Sequence, residues 1–161
     1  SVPEKGSSFY FTIPAPTDSK SEKQIAPSAV KKSIIDNKDL CKDKNILIVE
    51  DDPSNYELLK AILRKTNASI EWAKNGVEAI ELCEKSIPDL ILLDIKMPDM
   101  NGYETTTHLR KMNIKIPIIA QTAYARLEDE KKILDSGFDA YLSKPIEKNK
   151  LLVVLNKIFE I

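Results

Sequence analysis

The sequence predicts an α/β fold in which a doubly wound, five-stranded parallel sheet is covered by helices on both faces. From Asn45 onward, five short apolar runs alternate with five longer stretches of helical periodicity. An uninterrupted apolar run is typical of a strand buried on both faces, and strand–helix alternation is typical of a parallel sheet. The 161 residues suffice for one such domain with additional chain.

Each predicted element has a local signature. The first helix should have Asp52 as its N-cap and Pro53 at its first position. Gly137 should end the fourth helix as a left-handed cap. We predict strands at 46–49, 69–72, 90–93, 117–120 and 140–142, and later helices at 77–85, 103–112, 125–135 and 147–159. The buried stripe of the first helix is expected to comprise Leu58, Leu59, Ile62 and Leu63.

Composition excludes several classes of function. With 25 acidic and 24 basic residues the net charge is −1, so no nucleic-acid partner is expected. The longest apolar stretches, such as 151–155, are far shorter than the ~20 residues of a membrane-spanning helix, and no signal peptide is recognisable. We therefore expect no membrane contact. The four glycines form no Gly-rich phosphate-binding loop.

The two cysteines, Cys41 and Cys83, have neither metal-binding nor disulfide spacing, which favours a reducing, cytoplasmic location. We expect Cys83 to be buried on a helix, and Cys41, in polar surroundings, to have no particular role.

The first 44 residues differ from the rest. Residues 14–44 contain seven lysines, five acidic residues and no aromatic residue, so we interpret them as a flexible linker between residues 1–13 and a domain at 45–161. Before it, Phe9, Phe11 and Ile13 alternate with polar residues, which predicts a strand. That strand lacks a partner nearby and is expected to be the end of another domain.

Polar residues follow four of the predicted strands. In an open parallel sheet, binding sites form at the carboxyl ends of the strands. Each residue alone has a simpler explanation as a turn, cap or surface charge, but all four strand ends meet at one edge. The residues delivered there are Glu50, Asp51 and Asp52 after the first strand, Asp94 after the third, Thr122 after the fourth, and Lys144 and Pro145 after the fifth.

This set of residues predicts metal-assisted phosphoryl transfer. Asp52 is used as a helix cap, which leaves Glu50, Asp51 and Asp94 as three carboxylates with no His or Cys nearby. Hard oxygen ligands favour Mg²⁺ or Mn²⁺, and crowded carboxylates favour a cation. A carboxylate beside such an ion can accept a phosphoryl group, with Lys144 and Thr122 contacting its oxygens.

From about Lys44 to Ile161 the sequence resembles the receiver domain of two-component response regulators. Four motifs carry the resemblance: residues 48–52 (IVEDD), 92–102 (LLDIKMPDMNG), 121–123 (QTA) and 140–145 (AYLSKP). The resemblance implies a flavodoxin-like (βα)5 fold with strand order 2-1-3-4-5. It also implies a histidine kinase or a histidine phosphotransfer protein as partner, and a phosphorylation-dependent homodimer as a further candidate.

The resemblance also assigns roles to single residues. Asp94 would accept a phosphoryl group from a phosphohistidine, Asp51 and Asp94 would bind Mg²⁺ directly, and Glu50 would act through water. The backbone carbonyl of Lys96 would complete the protein ligands. Thr122 and Lys144 would contact the phosphoryl group, Lys144–Pro145 would be a cis peptide, and Tyr141 would move inward when Thr122 moves. From the pattern alone, Tyr141 is equally well a half-buried strand residue.

Residues 6–14 resemble the closing strand of the ATP-binding domain of histidine kinases, although Glu4 occupies a position where that family has glycine. This implies a hybrid histidine kinase whose parent chain can be membrane-anchored; the chain itself would support only its own phosphorylation and dephosphorylation. The alternatives are a stand-alone single-domain response regulator and a non-phosphorylated pseudo-receiver that binds partners. An aspartate-nucleophile hydrolase is excluded because Lys96 occupies the position of its second acid.

Overall fold

The structure, a computed structural model, describes residues 37–123 and 127–159. Its strands form one parallel sheet: β1 (Asn45–Val49), β2 (Ser69–Ala73), β3 (Leu90–Asp94), β4 (Ile118–Thr122) and β5 (Ala140–Ser143). Its helices are α1 (Pro53–Leu63), α2 (Gly76–Lys85), α3 (Gly102–Lys111), α4 (Leu127–Asp135) and α5 (Lys148–Phe159). None of these helices is long and apolar enough to cross a bilayer.

The strand order is β2-β1-β3-β4-β5, which confirms the predicted topology. Alternate residues of the central strands point to opposite faces of the sheet and build two apolar clusters. Leu90 and Leu92 of β3 face the cluster that includes α1 and α5, whereas Ile91 and Leu93 face the cluster that includes α2, α3 and α4. Because both faces are covered, the central strands β1, β3 and β4 are apolar except at their ends.

The first helix begins as predicted but buries a different side chain. Asp52 Oδ1 accepts a hydrogen bond of 2.7 Å from the Ser54 N–H, and Pro53 follows it in the first turn. The prediction that Leu58 is buried is wrong, since Leu58 is 46% exposed. Tyr56 is buried instead, because its ring stacks on Trp72 with centroids 4.1 Å apart.

The folded body begins before Asn45, which corrects the predicted end of the linker. A short 3-10 helix, Asn37–Asp39, precedes Leu40 and Cys41, whose exposed fractions are 3% and 0%. The Cys41 N–H donates to the Thr66 carbonyl over 2.9 Å, and both residues of this segment pack in the apolar cluster that includes α1 and α5. Counting charges along the segment could not reveal that these two apolar residues are packed. The strand expected in residues 1–13 and the rest of the linker lie outside the described residues, as does the predicted start of the fourth helix at Ala125.

Candidate phosphoryl-transfer site

Three carboxylates meet at the carboxyl edge of the sheet. Glu50 and Asp51 follow β1, Asp94 ends β3, and these two strands are neighbours. One carboxylate oxygen of each residue lies within 4.8 Å of the others. Glu50 and Asp94 are buried, with exposed fractions of 0% and 5%, whereas Asp51 is exposed. The cluster is therefore open to solvent on one side only.

Lys144 reaches this cluster from the end of β5. Its Nζ lies 2.6 Å from Asp94 Oδ2 and 2.8 Å from Glu50 Oε2, so one ammonium group contacts both buried carboxylates. Burial alone would lower the pKa of Lys144, but the hydrogen bonds and charges of Asp94 and Glu50 outweigh it and raise that pKa. The Lys144–Pro145 peptide bond is cis.

Glu50 is held by two residues that sequence reasoning missed. Asn55 Nδ2, in the first turns of α1, donates to Glu50 Oε1 over 2.9 Å, and Trp72 Nε1 donates to the Glu50 backbone carbonyl over 2.9 Å. Burial raises the pKa of Glu50 and outweighs the opposing hydrogen bonds from Lys144 and Asn55. The position of Asn55 five residues after Glu50, in a helix beginning beside the site, was the available signal. Trp72 on β2 offered none.

The loop after Asp94 folds back onto that residue. The Lys96 N–H donates to Asp94 Oδ1 over 3.1 Å, so each oxygen of the Asp94 carboxylate accepts a hydrogen bond. The Gly102 N–H donates to the Ile95 carbonyl over 3.0 Å. A Cβ at Gly102 would lie 2.5 Å from the Asp94 carbonyl oxygen and 2.8 Å from Ile95 Cα, so only glycine permits this close approach.

Thr122 and Lys144 are linked through the backbone. Thr122 ends β4 and is 6% exposed, and its carbonyl accepts from the Lys144 N–H over 2.7 Å. Tyr141 lies on β5, half-buried against the apolar cluster that includes α4, with its hydroxyl near the Glu130 side chain. The pKa of Tyr141 is raised, mainly by burial and to a smaller extent by the neighbouring Glu130 carboxylate. Thr122 and Lys144 are thus at the carboxylate edge, whereas Tyr141 contacts α4.

The donor set fits a hard divalent cation. The cluster offers carboxylate oxygens alone, which Mg²⁺ and Mn²⁺ prefer, and Zn²⁺ sites usually include His or Cys. Two buried carboxylates against one ammonium leave a negative charge that a cation would neutralise. Asp51 is the exposed member of the cluster, so an ion can reach the carboxylates from solvent at this residue.

Comparisons with known proteins show the family to which the chain belongs. The response regulator receiver domain family matches residues 46–156, and the chain belongs to that family. The chain is 40% identical over 110 residues to an uncharacterized 14.6 kDa protein of Leptolyngbya boryana, covering 67% of this chain and 84% of that protein. It is 34% identical over 148 residues to the autoinducer 2 sensor kinase/phosphatase LuxQ of Vibrio vulnificus, covering 91% of this chain but 17% of the kinase.

Two solved structures are similar over most of the chain. The receiver domain of sensor histidine kinase PA1611 of Pseudomonas aeruginosa, with magnesium in its active-site cleft, is 32% identical with a TM-score of 0.67. The match covers 73% of this chain and 98% of that one. A chain of the Saccharomyces cerevisiae complex of phosphotransfer protein Ypd1 with the receiver of Ssk1 is 31% identical with a TM-score of 0.68. Here 71% of this chain and 88% of that one are covered.

Proposed function

We propose that this receiver domain accepts a phosphoryl group from a phosphohistidine onto Asp94, with Mg²⁺, as one step of a phosphorelay. The observation that carries the proposal is the contact of one ammonium, Lys144 Nζ, with Asp94 at 2.6 Å and Glu50 at 2.8 Å inside a three-carboxylate cluster. A structural turn residue needs neither burial nor a cation. A carboxylate that receives a phosphoryl group needs positive charge at that position.

Asp51 and Asp94 would hold the metal through their carboxylates and Lys96 through its backbone carbonyl, with Glu50 acting through water. When bound, Mg²⁺ would neutralise the charge on the phosphoryl oxygens. Glu50, held by Asn55, would act from the buried side, and Asp51 from the solvent side.

Asp94 supplies the nucleophile. A carboxylate oxygen forms the new P–O bond as the P–N bond to the donor histidine breaks, and the imidazole leaves with the bonding electron pair and takes up a proton. The Lys96 N–H and the Lys144 ammonium orient the carboxylate through one oxygen each. Lys144, whose side chain is 20% exposed, would move from the carboxylates to a phosphoryl oxygen.

The signal would pass through β4 and β5. The Thr122 hydroxyl would donate to a phosphoryl oxygen, and this strand end is tied to Lys144 by the 2.7 Å backbone hydrogen bond. Tyr141 would respond when Thr122 moves, exchanging its contact with Glu130 for a more buried position. The face presented to a partner would change accordingly.

The parent protein we propose is a hybrid sensor histidine kinase, with residues 1–13 as the last strand of its ATP-binding domain. The similarity to LuxQ extends over 148 residues, more than the chain contains from residue 46 onward, so it includes part of the preceding segment. The alternative, a stand-alone response regulator, is favoured by the 14.6 kDa relative, most of which this chain covers. Expressing the natural gene and measuring the length of its product decides between them.

Phosphorylation can be tested with the chain alone. We expect incubation with acetyl phosphate and Mg²⁺ to add one phosphoryl mass, measured on the intact protein. The adduct should be absent in Asp94→Asn and after Mg²⁺ is chelated. The matched control Asp89→Asn, which removes a carboxylate at the opposite end of β3, should retain the adduct. An unmodified wild-type protein would instead favour the pseudo-receiver that only binds partners.

A further inference from the structure

Gln121 is a buried amide whose hydrogen bonds are not supplied by the described part of the chain. It precedes Thr122 on β4 and is 0% exposed, and among the described residues neither its Oε1 nor its Nε2 has a partner. A side-chain amide carries two donors and an acceptor oxygen, and burial without partners is unfavourable. Such a group is satisfied by ordered water when there is room beside it.

There is room beside Gln121. A cavity of about 40 Å³ lies between α1, the end of β4 and the residues after β5, and its lining includes Gln121, Asn55 and Lys144. A water molecule needs roughly 10–15 Å³ of such space and two to four polar partners. The cavity therefore meets both requirements, with three polar residues among otherwise apolar walls.

This cavity lies directly behind the carboxylate cluster. Gln121 is the register partner of Asp94 on the neighbouring strand. The other two polar lining residues both contact Glu50: Asn55 through its amide and Lys144 through its ammonium. A water bound to Gln121 would thus lie among the groups that orient the reacting carboxylate.

We propose that Gln121 and this cavity bind at least one ordered water molecule, which links the Gln121 amide to Asn55, since the three N–H groups of Lys144 already donate to Glu50 and Asp94. Gln121 is then a positioning residue, acting through water and Asn55 on Glu50, which in turn holds Lys144. It does not touch the reacting atoms itself. The positioning role rests on the proposed function, whereas the water site does not.

The water site is tested on the unmutated protein by NMR. We expect the Gln121 side-chain amide protons to show cross-peaks to water of opposite sign in laboratory-frame and rotating-frame experiments, as a water bound for longer than a nanosecond produces. Cross-peaks of equal sign in both experiments report proton exchange. Either that result or the absence of cross-peaks overturns the water site.

The positioning role is tested by Gln121→Met, which keeps the side-chain length but cannot bind water. We expect phosphorylation by acetyl phosphate to slow roughly tenfold, as for other residues that orient a site from behind, with little change in the Mg²⁺ Kd. The matched control is Thr106→Val on α3, which removes another buried, unpartnered polar atom, the Thr106 hydroxyl. Its phosphorylation rate should be unchanged.

The outcomes separate the two proposals. If the wild-type protein is not phosphorylated, the proposed function fails, and the NMR result alone decides whether the water site exists. If the wild type is phosphorylated and Gln121→Met matches its rate, the positioning role is overturned. A slow Gln121→Met variant with an equally slow Thr106→Val would also overturn it, because loss of rate would then follow from perturbing any buried polar group.

Discussion

Lys144 Nζ lies 2.6 Å from Asp94 Oδ2, although the two residues are 50 positions apart in the chain. The same ammonium contacts Glu50, whose side chain is completely buried. This pair of contacts makes Lys144 the internal counter-ion of the site. A metal ion bound at this cluster would neutralise the same carboxylates as Lys144, so the stability of the protein and its affinity for Mg²⁺ should be coupled through this lysine.

Replacing Lys144 by Met should therefore destabilise the metal-free protein. Removing one partner of a fully buried ion pair costs about 3–5 kcal/mol. Because the Lys144 side chain is 20% exposed, we expect roughly 2–3 kcal/mol, measured by urea unfolding. Mg²⁺ should stabilise the variant more than it stabilises the wild type, since it replaces the missing positive charge.

Lys150→Met is the matched control. Lys150 pairs with Glu147 at 2.8 Å, but both side chains are more than half exposed, so its loss should cost less than about 1 kcal/mol. Equal responses of the two variants to Mg²⁺ would contradict the role of Lys144 as counter-ion.

A methyl group at Gly102 should damage the metal site as well as the fold. In Gly102→Ala the Cβ would clash with the backbone of Asp94 and Ile95, which cannot rotate away. We therefore expect the free energy of unfolding to fall by about 1–3 kcal/mol and the Kd for Mg²⁺ to rise. Isothermal titration with Mg²⁺ measures the second effect.

Gly137→Ala is the control that separates loss of stability from loss of Mg²⁺ affinity. Gly137 has φ of +97°, so alanine is strained there, but its neighbours are side-chain atoms of Arg110 and Thr106 rather than the site. This variant should lose stability and keep the wild-type Mg²⁺ Kd. A comparable loss of Mg²⁺ affinity in both variants would show that general destabilisation, not the approach to Asp94, is responsible.

Both cysteines should resist alkylation in the native protein. Burial raises the pKa of Cys83 to about 11 from 9.0 and raises that of Cys41 as well. The folded state therefore favours the neutral thiol. The contribution of Cys83 to stability is complete at neutral pH and is lost as the pH rises from about 9 through about 11.

Iodoacetamide labelling followed by peptide mass analysis checks this. At pH 8 both thiols should react only in denaturant, and native labelling of Cys83 should rise as the pH approaches 11. Rapid native labelling of Cys41 at pH 8 would contradict the finding that the folded body extends back to that residue.

The emission of Trp72 should report metal binding. Trp72 is the single tryptophan of the chain, and its indole N–H donates to the carbonyl of Glu50. An ion bound near Glu50 should shift Glu50, and with it the hydrogen bond to Trp72 and the stacked Tyr56 ring. The Trp72 fluorescence should therefore change with Mg²⁺ concentration and reach a plateau. Asp51→Asn should weaken the apparent Kd, whereas Glu57→Gln, an exposed change on α1, should not. A wild-type emission that stays constant during the titration would count against a metal at Glu50.

Binding sites of open parallel sheets form at the carboxyl ends of the strands. This rule predicted most of the candidate site, because it depends only on topology. Once five parallel strands are recognised, Glu50, Asp94, Thr122 and Lys144 must lie at one edge. What it could not predict depends on packing. The apolar pattern of α1 placed Leu58 in the buried stripe, but the structure leaves it 46% exposed and buries Tyr56, whose ring stacks on Trp72. Gln121 lies between an apolar run and Thr122, so its burial without a partner becomes visible only with the strand's neighbours in place.

The central claim, that Asp94 is the phosphoacceptor, is tested most directly by locating the phosphoryl group. Borohydride reduces an aspartyl phosphate to homoserine, so peptide mass spectrometry after acetyl phosphate, Mg²⁺ and borohydride identifies the modified residue. We predict homoserine at Asp94 in the wild type and none anywhere in Asp94→Asn. Homoserine at Asp51 or Asp52, or an adduct that persists in Asp94→Asn, would contradict this assignment.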